Sequence, residues 1–91
     1  MANDLTLSVW SVDTASATAL TSSWVKVRNI KWDGEAAVAG NNAVVTDAAG
    51  AVIFKGVASG ANYSESEYIG RWVRGLIVPT LDAGVLYIDF E

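Results

Sequence analysis

The residues most able to do chemistry in this sequence are acidic pairs. Asp33 and Glu35 are two positions apart, and so are Glu65 and Glu67. Paired carboxylates hydrolyse glycosides when they face each other across a cleft at roughly 5–10 Å. Both pairs fall in segments that have the composition of turns or loops, where carboxylates are usually solvated. We therefore expect neither pair to be catalytic and predict that the protein is not an enzyme.

The composition excludes most other catalytic and metal chemistry. The sequence has no His and no Cys, which structural zinc, iron–sulfur clusters, haem, Ser-His-Asp triads and Cys-His dyads require. A calcium loop needs several oxygen ligands at alternating positions, and Asp47-Ala48-Ala49-Gly50 offers one carboxylate. We predict no metal and no cofactor, and we interpret Asp47 and Asp82 as turn-forming residues.

Tryptophan is the second feature that could carry a function. Four Trp occur in 91 residues, and Trp24, Trp32 and Trp72 lie in segments that we predict to be strands. An exposed Trp on a sheet can stack against a sugar, but a large aromatic residue in a strand more often fills a core or a protein interface. We therefore take these three as candidate interface residues and keep carbohydrate recognition as the alternative.

The charge balance argues against nucleic acid and membrane partners. Ten acids against six bases give a net charge of −4. Phosphate backbones need a basic stripe, and the nearest one, Lys26, Arg28 and Lys31, is followed at once by two acids. No apolar run approaches the roughly 18 residues of a membrane span, and Asp4 stands where a signal peptide carries bases. We expect a protein that is made and assembled inside a cell.

The spacing of apolar residues predicts strands. Apolar and polar side chains alternate from Leu5 to Val9, as in a half-buried strand, so a first strand is predicted over Leu5–Val12. No stretch has the three- and four-residue apolar spacing of a long helix. The next segment, Asp13–Ser23, is small and polar, which predicts a low-complexity loop.

A change of parity predicts a bulge in the next strand. Trp24–Trp32 begins with Val25 and Val27 as its apolar positions and continues with Ile30 and Trp32. One extra residue near Arg28-Asn29 would place all four on one face.

Turn residues separate the remaining strands. In Asp47–Gly50 the Asp side chain can bond to the backbone ahead of it and Gly can adopt a positive φ, so Ala43–Thr46 and Ala51–Val57 should form a hairpin. Further strands are predicted over Arg71–Val78, ending before Pro79, and over Val85–Phe90. The other connections are turns at Asp33-Gly34, Asn41-Asn42 and Leu81–Gly84 and a long surface loop over Ser59–Glu67.

These elements define the predicted fold class. Six or seven short strands at roughly ten-residue spacing are typical of an antiparallel β-sandwich or a small β-barrel. We predict a single all-β domain spanning residues 1–91.

Two strands are apolar at both parities. Ala51–Phe54 and Val85–Ile88 lack the polar alternation of a strand with one solvated face, and 52% of all residues are hydrophobic. Excess apolar surface usually indicates association, although loops of the same chain could also cover it. We assign Leu86, Ile88 and Phe90 to the core, and Val85 and Tyr87 to a candidate subunit interface.

Three segments carry a resemblance to a known class of protein. They are Ile30–Gly34, Val44–Ile53, and the run Arg74–Ile88 with its sequence RGLIVPTLDAGVLYI. Together they resemble small β-rich virion proteins of tailed bacteriophages over about residues 28–90. The resemblance implies a structural protein without catalytic residues.

The same resemblance suggests a place in the virion. Proteins of this kind include head decoration or cement proteins, which clamp neighbouring capsomers and are often trimers. It therefore implies a homo-oligomer, with a trimer favoured, that binds the major capsid protein on the capsid surface after assembly in the host cytoplasm. A tail- or fibre-associated binding module, possibly recognising carbohydrate, is the alternative.

Overall fold

A computed structural model of the protein describes residues 9–34, 37–60 and 63–91. These residues form six strands and no helix. The strands are β1 (Val9–Val12), β2 (Ser16–Gly34), β3 (Asn42–Thr46), β4 (Val52–Val57), β5 (Tyr63–Leu81) and β6 (Val85–Phe90). They form one antiparallel sheet in the order β1-β6-β2-β5-β3-β4. The predicted all-β class is confirmed, and the sheet is consistent with a small sandwich or barrel.

Two long strands organise this sheet. β2 and β5 contain 19 residues each and pair with each other from Ser16↔Val78 to Gly34↔Tyr63. Three register shifts interrupt that pairing, and irregularities of this kind bend and twist a strand. β6 and β1 extend the sheet beside the second half of β2, whereas β3 and β4 extend it beside the end of β5.

The core lies between these two parts of the sheet. Both parts contribute side chains with no exposed surface or almost none. The largest of them are Trp32, Phe54, Ile30, Leu76, Leu86, Ile88, Val12, Val27, Val45 and Val78.

Trp32 is the largest side chain of this core. It has 0% exposure, and its Nε1–H donates a hydrogen bond to the Ala83 carbonyl at 2.9 Å. Its ring meets the Tyr63 ring edge-on, with 5.4 Å between centroids. A Cβ added at Gly56 would lie 2.9 Å from Trp32 Cε3. The absent side chain at Gly56 therefore lets β4 lie directly against the indole.

The predicted bulge in β2 is confirmed. The register of β2 shifts between Val27 and Asn29 against both β5 and β6. Val27, Ile30 and Trp32 are all buried, while Arg28 is exposed. The extra residue thus keeps the apolar positions on the core side.

The predicted hairpin is also confirmed. β3 pairs with β4, and Asp47 Oδ1 accepts bonds from the backbone N–H groups of Ala49 and Ala51, both at 2.9 Å. Gly50 has a φ of +92°. The turn at Leu81–Gly84 lies between β5 and β6 as predicted, and in β6 Leu86 and Ile88 are buried.

Two segments predicted as loops are strand. Within Asp13–Ser23, the residues from Ser16 onward belong to β2, and within Ser59–Glu67, those from Tyr63 onward belong to β5. These two segments lie at opposite ends of the β2–β5 ladder, where each pairs with the partner strand. Pairing with a long partner outweighed their polar composition, since strand preference depends strongly on context.

Three predicted boundaries were wrong. Asp33 and Gly34 pair in β2 instead of forming a turn. The turn near Asn41-Asn42 lies at Ala39-Gly40, and Asn42 already belongs to β3. β5 continues through Pro79, because the β3–β5 register shifts there, between Val44↔Thr80 and Thr46↔Ile77, and a bulge tolerates proline.

The first predicted strand is seen in part. β1 covers Val9–Val12, and Leu5–Ser8 of that prediction lie outside the described residues.

Replacing Gly56 by Ala should destabilise the fold, because the added methyl group would lie 2.9 Å from the Trp32 ring. Overpacking of this kind costs about 1–3 kcal/mol. Thermal unfolding followed by circular dichroism should therefore show a lower melting temperature. Gly60→Ala is the control, since a Cβ there meets nothing within 4 Å.

The double variant Gly56→Ala/Trp32→Phe tests whether Trp32 causes that loss. The smaller phenyl ring relieves the crowding against Trp32 but not that against Glu65 Oε1, which also lies 2.9 Å from the added methyl group, so Gly56→Ala should cost less in this background, by about 0.5 kcal/mol or more. An equal cost in both backgrounds would show that the contact is not responsible.

Gly50→Val should also destabilise the protein, for a different reason. A Cβ at Gly50 has open space around it, but the φ of +92° costs a β-branched residue about 1–2 kcal/mol or more. The melting temperature should fall by several degrees, while Gly60→Val, without a positive φ, should change it little. Equal melting curves for wild type and Gly50→Val would show that the positive φ of Gly50 does not contribute to stability.

Candidate functional site

Two exposed tryptophans are neighbours on the outer face of the β2–β5 ladder. Val25 and Val73 turn inward and pack in or against the core. The alternating positions therefore face outward, where Trp24 stands opposite Arg74 and Lys26 stands opposite Trp72. Diagonal positions of this kind are about 7–8 Å apart. We call these four residues (Trp24, Lys26, Trp72 and Arg74) the tryptophan patch.

The tryptophan rings of the patch face solvent. Trp24 is 62% exposed and Trp72 is 61% exposed. Single exposed apolar residues are common, but large neighbouring apolar groups usually mark a binding surface. Because both stand on paired strands, their positions are fixed by the ladder before any partner binds.

Tyr68 extends the patch along β5. It lies opposite Asn29 on the same outer face, four residues before Trp72, and is 71% exposed. A Cβ added at Gly70 would collide with the Tyr68 ring. The ring therefore leans over Gly70 toward Trp72, and three aromatic rings form a row across the two strands.

The patch carries a small excess of positive charge. Lys26 Nζ pairs with Glu91 Oε1 at 3.4 Å, and Arg28 Nη1 pairs with Asp89 Oδ2 at 3.6 Å. Neither Arg71 nor Arg74 forms an ion pair with any of the described residues. On the outer face, the guanidinium group of Arg74 is thus left for a partner beside the tryptophans, whereas Arg71 stands opposite the buried Val27.

The Asp47–Gly50 turn borders the patch and creates two hollows. The N–H of Ala48 donates to the Arg74 carbonyl at 2.9 Å, which fixes the turn beside the patch. One hollow of about 270 Å³ has Trp24, Trp72, Arg71 and Asp47 among its lining residues. The other, about 340 Å³, is lined by Ser22, Asp47, Ala48, Ala49 and Arg74.

Trp32 does not belong to an interface in this structure. Its side chain is fully buried, so its assignment as a candidate interface residue is corrected to the core. The bulge at Arg28 explains the difference from Trp24, because it reverses which parity of β2 faces inward.

Val85 and Tyr87 lie elsewhere on the outer face. Both are half-buried on β6, opposite Asp33 and Lys31 of β2. The structure therefore brings Trp24 and Trp72 together but does not join them to Val85 and Tyr87. An interface role for these four residues stays a prediction.

Arg74 of the patch and its neighbour Tyr68 were not predicted as site residues from the sequence. Tyr68 follows directly on a segment that was predicted as loop, although its spacing of four from Trp72 fits one face of a strand. Arg74 joins Trp24 only through the β2–β5 register, which local sequence does not specify.

The acid pair Glu65 and Glu67 lies on a strand. Both point to the same side of β5, and Glu65 is half-buried. The Tyr63 hydroxyl donates to Glu65 Oε1 at 2.6 Å. That hydrogen bond, with partial desolvation and the negative charge of Glu65, raises the pKa of Tyr63 above its ordinary value. In the other acid pair, Asp33 and Glu35, Glu35 lies outside the described residues.

Residues 9–34, 37–60 and 63–91 contain no group of three or more acidic, His or Cys side chains that could hold a metal ion. No helix in those ranges is long and apolar enough to span a membrane.

Comparisons with known proteins give no relative. No family model matches the chain, and neither a curated protein nor a solved structure matches it. The candidate function therefore rests on the geometry of the chain and on the sequence resemblance given above.

Tyr87→Glu and Ile88→Glu should separate the two faces of β6. A Glu at position 87 would lie opposite Lys31, so the protein should stay folded, and it should fail to assemble if Val85 and Tyr87 form an interface. Ile88 has 0% exposure, and an unpaired buried charge costs several kcal/mol, so that variant should unfold. Circular dichroism with light scattering distinguishes these outcomes, and exchanged phenotypes would contradict the face assignment.

Proposed function

We propose that this chain is a non-enzymatic structural protein that acts by binding other protein through the tryptophan patch. The observation that carries the proposal is the adjacency of Trp24 and Trp72, each more than 60% exposed on one face of the β2–β5 ladder. Burying two such rings removes much apolar surface from water at a small cost in conformational entropy.

The residue types of the patch support protein as the partner. Trp, Tyr and Arg are the residues that dominate binding energy in protein interfaces. Trp24, Trp72, Tyr68 and Arg74 supply all three types on one surface. Lys26 and Arg28 are already paired with carboxylates of the same chain, which leaves little of the free positive charge that a phosphate backbone needs.

The resemblance to small phage virion proteins supplies the context of the proposal. In this context the chain is a capsid decoration or cement protein. It binds the major capsid protein and further copies of itself, with a trimer favoured, and stabilises the head at the capsid surface.

Carbohydrate recognition is the second candidate function. Sugar rings stack on exposed aromatic faces, and Tyr68, Trp72 and Trp24 are three exposed aromatic residues on neighbouring strand positions. A tail- or fibre-associated module would use the same row for glycan in place of protein.

Trp24→Ser/Trp72→Ser should abolish protein binding and leave the fold intact, because both rings are exposed. The test is cosedimentation with shells of the major capsid protein encoded in the same genome. Each ring should contribute about 2 kcal/mol or more, which is about 30-fold in affinity per ring. Val9→Ser is the control, since Val9 is an exposed apolar residue on β1.

Two results would contradict the proposal. Unchanged cosedimentation of the double variant would show that the patch is not the contact. Sugar binding is measured separately by titrating the protein with oligosaccharides and recording the fluorescence of its exposed tryptophans. Saturable sugar binding that disappears in the double variant, without shell binding by the wild type, would favour the carbohydrate module.

A further inference from the structure

We infer that the outer edge of β4 is a second binding surface, where an extended segment of another protein joins the sheet as a strand and places a carboxylate beside Lys55. The inference goes beyond the proposed function, because this edge is a different surface from the tryptophan patch. The chemistry of the partner follows from the backbone groups and the side chains that the edge presents.

β4 is the last strand of the sheet. The strand order ends at β4, which pairs with β3 alone among the described residues. It has six residues, whereas β1 at the other edge has four. A longer edge offers more unpaired backbone groups to an incoming strand, so β4 is the edge better able to accept one.

The contacts of Asn42 show which backbone groups of β4 are free. The Asn42 N–H donates to Asp82 Oδ2 at 2.7 Å, and the Asn42 C=O accepts from the Asp82 N–H at 2.9 Å. Both groups of Asn42 therefore point away from β4. Opposite residues of an antiparallel pair either bond to each other or both point away, and Val57 is opposite Asn42. The N–H and C=O of Val57 thus point outward.

Lys55 presents the same two backbone groups. It lies two residues before Val57, and no register shift separates the two positions. The direction of the backbone groups alternates along a strand, so the N–H and C=O of Lys55 also point outward. Two donors and two acceptors in this arrangement are what an extended peptide backbone pairs with.

The side chains of the edge favour particular residues in the added strand. Lys55 and Val57 lie on one face of β4 and are both exposed. An added strand would place one side chain opposite each of them, and opposite-charge pairs and pairs of β-branched residues stabilise neighbouring strands. The edge therefore fits Asp or Glu opposite Lys55 and an apolar residue opposite Val57.

The charge of Lys55 is not balanced on its own face. Lys55 forms no ion pair with any of the described residues. The Glu65 carboxylate lies on the other face of the strand, where a Cβ at Gly56 would be 2.9 Å from its Oε1. A carboxylate on the incoming strand would thus be the partner that Lys55 lacks within the described residues.

A second β4 fits this edge less well than an acidic segment does. If two such edges paired through Lys55 and Val57, the two Lys55 side chains would lie opposite or diagonal to each other. Like charges on neighbouring strands are destabilising, and a lysine on an edge strand discourages pairing between identical edges. An acidic segment meets no such repulsion.

Amide hydrogen exchange, measured by NMR, tests the pairing directly. The probe is a short synthetic peptide that alternates Thr and Val, with Glu in place of the central Val. In the free protein the outward N–H groups of Lys55 and Val57 should exchange quickly, whereas the N–H of Gly56, which points toward β3, should exchange slowly. Saturation with the peptide should slow Lys55 and Val57 by about tenfold or more.

A charge exchange tests the role of Lys55. Lys55→Glu should weaken binding of the Glu peptide by about tenfold, and this variant should instead bind the same peptide with Lys in place of Glu. Because Lys55 is exposed, its circular dichroism spectrum should not change. Lys31→Glu, on the outer face opposite Tyr87, is the matched control and should bind the Glu peptide like the wild type.

Several results would overturn the inference. Slow exchange of Lys55 and Val57 in the free monomer would show that the chain covers its own edge, and protection that appears only as the chain associates would make a second copy the occupant. Absence of saturable binding, binding without protection of the two N–H groups, or binding that Lys55→Glu leaves unchanged would also overturn it.

The Trp24→Ser/Trp72→Ser variant separates this inference from the proposed function. It should bind the Glu peptide normally, because the tryptophan patch is not part of the β4 edge. Unchanged shell binding by that variant would contradict the proposed function and leave the β4 edge standing. Loss of peptide binding in that variant would place the peptide at the patch and overturn the inference alone.

Discussion

The contact of Trp32 with Gly56 is the constraint on which the two parts of the sheet depend. Trp32 stands on β2 and Gly56 on β4, at distant positions in the strand order, and any side chain at position 56 would meet the indole at 2.9 Å. The indole N–H is satisfied by Ala83 at the β5–β6 turn. One buried ring therefore contacts β4 and bonds to that turn, so it ties β2, β4 and the turn together in a closely packed core.

The bulge at Arg28 allows the same strand to serve the core and the surface. Positions 24 and 32 have the same parity, so a regular strand would place both tryptophans on one face. The extra residue between Val27 and Asn29 buries Trp32 and leaves Trp24 exposed. The tryptophan patch therefore exists because the alternation of β2 changes once along its length.

The local pattern of residues was enough to predict part of this structure. Alternation and parity predicted the bulge and the faces of β6, and Asp47 with Gly50 predicted the hairpin. The first residues of β2 and β5 carry no such pattern, because Ser, Thr, Ala and Glu become strand there only through pairing between segments that are remote in sequence. The surface around the two exposed tryptophans was predicted only in part for the same reason. Trp24 and Trp72 could be singled out because they are tryptophans in predicted strands, whereas Arg74 and Tyr68 lie near them only because of the β2–β5 register.

The core contacts and the proposed binding surface lie in different parts of the molecule. Trp32 lies near the end of the β2–β5 ladder that pairs Gly34 with Tyr63, whereas Trp24 and Trp72 lie near the middle of the ladder, on the other side of the bulge. Exposed tryptophans add nothing to the core, and their hydration is unfavourable until a partner covers them. A partner that covered both rings, as proposed, would remove this unfavourable hydration. Since the ladder already fixes their positions, little ordering remains to oppose binding.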